Sequence, residues 1–92
     1  MREYEIKPHL QKILKKLFKK DRVAYEAVMK KIEEIVNSQG IEHYENLQYD
    51  MSHLKEVHIV KSFVLVFSYD KARDFVSFLD YNHHGKIFNR RW

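Results

Sequence analysis

Six histidines in 92 residues are spread unevenly. His9 and His43 stand apart, whereas His53, His58, His83 and His84 gather in the second half of the chain. Imidazole exchanges protons near neutral pH. RNA cleavage by attack of a 2′-hydroxyl needs a base for that hydroxyl, an acid for the leaving oxygen, and cations for the phosphorane. Histidines supply the first two. Lys55 and Lys61 flank His58, while Lys86, Arg90 and Arg91 follow His83 and His84, so cations lie close in sequence to each proton carrier. A plainer reading stands beside this one, because histidines on strands commonly serve as surface or hydrogen-bonded structural residues. A zinc site is a further alternative. Asp80 with His83 or His84, joined by His58, offers nitrogen and oxygen ligands, but no HExxH or comparable spacing is present. The segment Asn89-Arg90-Arg91-Trp92 could hold a phosphate and stack a base, or simply form a packed or frayed tail. Tyr44, Tyr49, Tyr69 and Tyr81 are stacking candidates whose default assignment is packing.

These residues need a frame. Tyr4-Glu5-Ile6 reads as a short first strand, and Pro8 suits the first turn of a helix, where its missing N–H costs nothing. Leu10, Ile13, Leu14, Leu17 and Phe18 then recur at the spacing of one buried helical face, with Lys12, Lys15, Lys16, Lys19 and Lys20 displayed elsewhere. That lysine face has a plain reading as a solvated surface and a functional one as a phosphate contact. Asp21 predicts the N-cap of a second helix running to roughly Ser38, with Ala24, Val28, Ile32, Ile35 and Val36 buried and Gly40 closing it. Runs at Val57–Val60, Phe63–Tyr69 and Phe75–Tyr81 are rich in β-branched and aromatic residues and predict at least three antiparallel strands. Lys61-Ser62 marks a turn and residues 70–74 a polar hairpin loop. The expected fold is α+β: a helical hairpin packed on one face of an antiparallel sheet, in the order β-α-α-β-β-β, with the other face open to a ligand.

A chain of this length with 45% hydrophobic residues supports one core, so residues 1–92 are read as a single domain. Two glycines and one proline exclude a low-complexity composition. The absence of cysteine excludes disulfides, thiolate nucleophiles and thiolate zinc sites, and makes a cytoplasmic location the expectation. Charges in Met1-Arg2-Glu3-Tyr4-Glu5 replace the apolar stretch of a signal peptide, and no run approaches the ~20 apolar residues of a membrane span. Seventeen Lys/Arg against thirteen Asp/Glu give a net charge of +4, which favours a polyanionic partner without specifying one.

The segment from His53 to Phe67, HLKEVHIVKSFVLVF, resembles the central strands of RelE/ParE superfamily toxins. Its His58-Ile59 dipeptide ahead of an apolar strand is similar to the YafQ branch, as is the ending from Asp80 to Phe88, DYNHHGKIF, which also resembles archaeal RelE-like endings. By that resemblance His58 is a proton-transfer residue, His84 the second acid/base residue and Phe88 a base-stacking aromatic. His53 and His83 are secondary candidates, and Lys55, Lys61, Lys86, Arg90 and Arg91 are the expected substrate-binding residues by their charge rather than by a motif match. Ser62 stands where YafQ-like proteins have an acidic residue, Val64 replaces an arginine of the RelE strand, and Phe88 replaces the RelE tyrosine. The resemblance implies a toxin of a type II toxin–antitoxin system, an endoribonuclease that cuts messenger RNA, on the ribosome, without cofactor or metal. It also implies a cognate antitoxin that is disordered until bound. Two alternatives stay open: a ParE-like inhibitor of a topoisomerase with no chemistry of its own, and a catalytically degenerate basic binding module.

Overall fold

The computed structural model describes residues 1–47 and 53–87. Phe88, Arg90, Arg91 and Trp92, all singled out above, lie outside the described residues, as does Tyr49. The elements run β1 (Glu3–Ile6), α1 (Pro8–Lys20), α2 (Arg22–Val36), a 3-10 turn (Ile41–His43), β2 (Lys55–Val60), β3 (Phe63–Asp70), β4 (Phe75–His83) and the short α3 (His84–Ile87).

Both long helices begin as the sequence dictates. Pro8 opens α1, and the Asp21 carboxylate accepts the backbone N–H of Ala24 at 3.1 Å to start α2. Leu10 and Leu14 of α1 meet Val28, Ile32, Ile35 and Val36 of α2 in one core cluster, which also takes Leu65, Phe67, Val76, Phe78 and Tyr81 from the sheet. The end of α2 departs from expectation. Asn37, not Gly40, closes it: the Asn37 side-chain amide donates to the Glu33 carbonyl at 2.9 Å, so the terminal carbonyl needs no left-handed glycine. Gly40 instead leads into the 3-10 turn with φ −124°.

The sheet is four-stranded in the order β1-β4-β3-β2. Strands β2, β3 and β4 are antiparallel neighbours, as expected. The first strand corrects an all-antiparallel reading, because β1 pairs with β4 in parallel, from Glu3 opposite Phe75 to Ile6 opposite Phe78. Parallel neighbours require a long crossover, and here the whole excursion through the helices and two strands provides it. Lys61-Ser62 forms the β2–β3 turn, with Lys61 in the left-handed region at φ 52°. Asp74, also at φ 52°, ends the loop before β4. Its carboxylate accepts from Tyr69 Oη at 2.6 Å and from Arg2 Nε at 2.8 Å, which ties the N-terminus to the loop.

The face away from the helical hairpin is less open than the sequence suggested. Leu47, Leu54 and Ile87 pack over Val64 and Val66 there, with half-buried Leu79 at their edge, and form a second cluster. Alternate side chains of a strand point to opposite faces, so apolar residues at both parities of β3 require cover on both sides. The segments before β2 and after β4 supply the second cover.

Candidate active site

The alternation along β2 decides which side chains reach this second face. Val57 and Ile59 pack against the main core, which turns Glu56 and His58 the other way. In register, Glu56 lies opposite Val66 and His58 opposite Val64, the two β3 residues of the second cluster. A register shift between His58 and Val60 breaks the ladder beside the histidine, as bulges near functional sites commonly do.

His84 arrives from the other side. Its backbone N–H donates to the Ser62 carbonyl at 2.7 Å, and the fully buried Ile87 pins the following turn onto Val64 and Val66. The chain thus folds over the sheet face, and the His84 ring stacks on that of His58, with centroids 5.9 Å apart and planes at 19°. His84 Nδ1 lies 3.4 Å from Glu56 Oε2, within ion-pair range though longer than a charge-assisted hydrogen bond. The Glu56 side chain is only 9% exposed and His84 39%, so the carboxylate sits behind the imidazole and the ring meets solvent. A carboxylate at Nδ1 selects the tautomer protonated there and leaves Nε2 to exchange a proton. Two parallel imidazoles, one backed by a buried carboxylate, can serve as base and acid on opposite sides of one phosphodiester.

The other sequence candidates separate. His83 points away from His84: its Nδ1 accepts the Gly85 N–H at 3.2 Å, and its ring stands edge-on to Phe63 at 5.8 Å. His53 is exposed in the turn before β2 and makes no ion pair or ring contact among the described residues. Lys55 is committed to structure, since its Nζ donates to the Tyr44 carbonyl at 3.2 Å and to Asn46 Oδ1 at 2.8 Å. Lys61 and Lys86 are exposed, on the β2–β3 turn and on α3. Asp80 does not join His58, His83 or His84 in a metal site. It is fully buried, and its Oδ1 lies 3.0 Å from His9 Nε2, a partner 71 residues away that local sequence could not reveal. Among the described residues no group of three or more His, Asp or Glu is arranged to hold a metal ion.

Glu56 is the site residue that sequence reasoning missed. Its signal was present in the two-residue spacing from Glu56 to His58, which puts both on one face of a strand. Elsewhere, a groove of about 530 Å³ lies along the helical hairpin, with Leu14, Phe18, Tyr25 and Met29 among its lining residues and Lys15 and Lys19 beside them. No described helix is long and apolar enough to cross a membrane.

No protein-family model matches the sequence. A protein of Methanocaldococcus jannaschii assigned as toxin RelE4 is 46% identical over 91 residues, which covers 99% of this chain and 95% of that one. Among solved structures, the YoeB–YefM complex of Staphylococcus aureus superposes with a TM-score of 0.73 at 13% identity, over 91% of this chain and 98% of that one. YafQ of Escherichia coli follows the fold with a TM-score of 0.66 at 17% identity, over 96% and 99%. Fold likeness therefore does not single out the YafQ branch, whereas sequence identity along nearly the whole chain points to RelE. With two helices packed on a four-stranded mixed sheet and a RelE relative of this similarity, the chain belongs to the RelE/ParE superfamily of toxins.

Proposed function

We propose that the chain is the toxin of a toxin–antitoxin pair and cleaves messenger RNA on the ribosome by proton transfer between His84 and His58, without a metal. The stacking of these two rings, with Glu56 behind His84, carries the reading. His84 Nε2 takes the proton of the 2′-hydroxyl as its oxygen attacks phosphorus, and the Glu56 carboxylate stabilises the imidazolium that forms. His58 gives its proton to the departing 5′-oxygen as the P–O5′ bond breaks. The products are a 2′,3′-cyclic phosphate and a free 5′-hydroxyl. Lys61 and Lys86, exposed on the two segments that carry the histidines, supply positive charge to the phosphorane.

The partner follows from the same molecule. A groove with an apolar floor and lysines around it suits a protein segment with apolar anchors and acidic flanks, the chemistry of an antitoxin that orders on binding. The S. aureus relative in fold is itself seen in a YoeB–YefM complex.

Primer-extension mapping of cellular messenger RNA after brief induction tests the chemistry. Wild type is expected to cut, and His84→Ala and His58→Ala to cut about 10²-fold to 10⁴-fold less, the usual contribution of a positioned acid or base. Glu56→Gln should fall between, because a neutral amide stabilises an imidazolium less well. Growth arrest with intact messages would instead identify an inhibitor of another target, such as a topoisomerase. Neither arrest nor cutting would identify a degenerate binding module.

A further inference from the structure

Asp80 is the one buried polar or charged residue among the described residues, and the proton-transfer pair does not use it. It sits at a break in the β3–β4 ladder. Phe67 pairs with Phe78, but the neighbouring Val66 pairs with Asp80, so Leu79 and Asp80 stand together against Val66 and β4 is bulged. Packing shows the same break. Phe78 and Tyr81, three residues apart, both lie in the main core, while Leu79 packs at the second cluster. Regular alternation would put residues three apart on opposite faces.

The groups around the bulge are arranged to hold it. Asp80 Oδ1 accepts the Tyr81 N–H at 2.8 Å and lies 3.0 Å from His9 Nε2. The first strand ends at the same level. Ile6 is its last paired residue, opposite Phe78, and Lys7 N–H still donates to the Phe78 carbonyl at 2.9 Å. Pro8, which has no N–H to continue a ladder, then opens α1. The first turn of that helix brings the His9 imidazole to the bulge, a contact between residues 71 positions apart.

Without the bulge, the Phe67–Phe78 register would continue to Asp80 opposite Leu65 and Tyr81 opposite Val64. The carboxylate would then enter the main core away from both of its contacts, which is costly for a charged group. Tyr81 would leave that core, and every later strand residue would change face. His83 would turn toward the side of His58, and His84 would turn away from it.

We infer that Asp80 and His9 are positioning residues that pin this bulge, and that the bulge decides which of two adjacent histidines meets His58. Asp80 acts in both registers: its contacts hold the bulged one, and its charge disfavours the regular one. That His84 then does chemistry rests on the ribonuclease reading above, whereas the register itself does not.

The test compares substitution with deletion in the full chain. Asp80→Leu removes both contacts and offers the main core an acceptable side chain, so β4 should slip to the regular register. Deletion of Asp80 instead removes the extra residue: Leu79 falls opposite Val66, Tyr81 stays opposite Leu65, and His84 keeps its place without a bulge. A residue needed only for packing or charge would be missed more after deletion than after substitution. Cross-strand Hα contacts in NMR spectra report the register, ring-to-ring contacts report which histidine meets His58, and primer extension reports cutting. Asp80→Leu should pair position 80 with Leu65, lose the His58–His84 contact and cut about 10²-fold less, the scale of a misplaced reacting group. The deletion should keep Tyr81 opposite Leu65, keep the ring contact and cut within about tenfold of wild type. Asp80→Asn, which retains an acceptor for the Tyr81 N–H, should keep the wild-type register, and His9→Ala should populate both registers. A wild-type register in Asp80→Leu, or a deletion that pairs and cuts worse than Asp80→Leu, would overturn the inference. Should Asp80→Leu not fold, the deletion decides: folded with Tyr81 opposite Leu65 it upholds the pinned bulge, and unfolded it overturns it. A slipped chain that cuts as well as wild type would uphold the bulge and refute the assignment of chemistry to His84.

Discussion

Ile87 is a hydrophobic residue that carries a polar site. It is fully buried against Leu47, Leu54, Val64 and Val66, while the four-residue α3 it belongs to is far too short to hold its shape unaided. Besides this side chain, the hydrogen bond from His84 N–H to the Ser62 carbonyl helps hold the turn down. Ile87→Ala removes an apolar side chain of a type worth about 2 to 5 kcal/mol when its site cannot collapse. Because α3 is a short element that packs on the sheet after its last strand, most of that loss should appear as undocking of residues 84–87 and only part of it as global unfolding. At the lower figure the docked-to-undocked ratio falls about 30-fold. His84 then leaves His58 and Glu56, and cutting falls by up to the same factor. The assay compares messenger RNA cutting, amide exchange at residues 84–87 and thermal unfolding for Ile87→Ala and Ile87→Val. The alanine variant should lose exchange protection and activity together, with a midpoint reduced by less than the full packing loss requires, while the valine variant stays near wild type. Full cutting by Ile87→Ala with α3 unprotected would show that the docked position of His84 is irrelevant to the chemistry.

Two further outcomes concern the frame. Asp21→Ala removes the acceptor of the Ala24 N–H between the helices and should cost about 1 kcal/mol, seen as a fall of about 4 to 8 °C in the thermal midpoint. The Asp74 carboxyl is held below its ordinary value, first by the Tyr69 hydroxyl and then by Arg2. A depressed folded-state pKa stabilises above the unfolded value, near pH 4, and that contribution fades as pH falls through the folded value. Wild type should therefore exceed Asp74→Asn in stability at neutral pH, and the gap should close in acid below about pH 4. Asparagine tolerates the left-handed backbone at this position, so the comparison isolates the charge. A gap that persists unchanged at pH 2 would place the effect elsewhere.

The helices were legible because their information is local: a proline, a capping aspartate and an apolar stripe lie within a few turns of one another. The strands were legible as runs, but their partners were not. Nothing near Tyr4 announces that β1 lies parallel to Phe75–Phe78. The site was half legible. His58 and His84 stood out by residue type, and the structure brings them together, yet the same criterion also chose His83 and His53, which the fold directs elsewhere. Adjacent residues at a strand end point in opposite directions, so the choice between His83 and His84 depends on how the chain turns after β4. Lys55 was chosen for its charge, but three-dimensional contacts set it to hold the 44–46 segment. Glu56 went unselected because carboxylates are ordinary on a surface strand, and only burial behind His84 gives this one meaning.

The pairing of β1 with β4 has a consequence in time. The first strand emerges early during synthesis, but its neighbour is made some seventy positions later, so β1 waits through most of translation for the edge it joins. The strand that completes the sheet also leads directly into His84. A chain released before Phe78 would lack the parallel partner of Ile6, the last rung of the sheet and one of the two paired imidazoles together. The joining of β1 to the sheet and the meeting of the two imidazoles thus both wait for the same late stretch of chain.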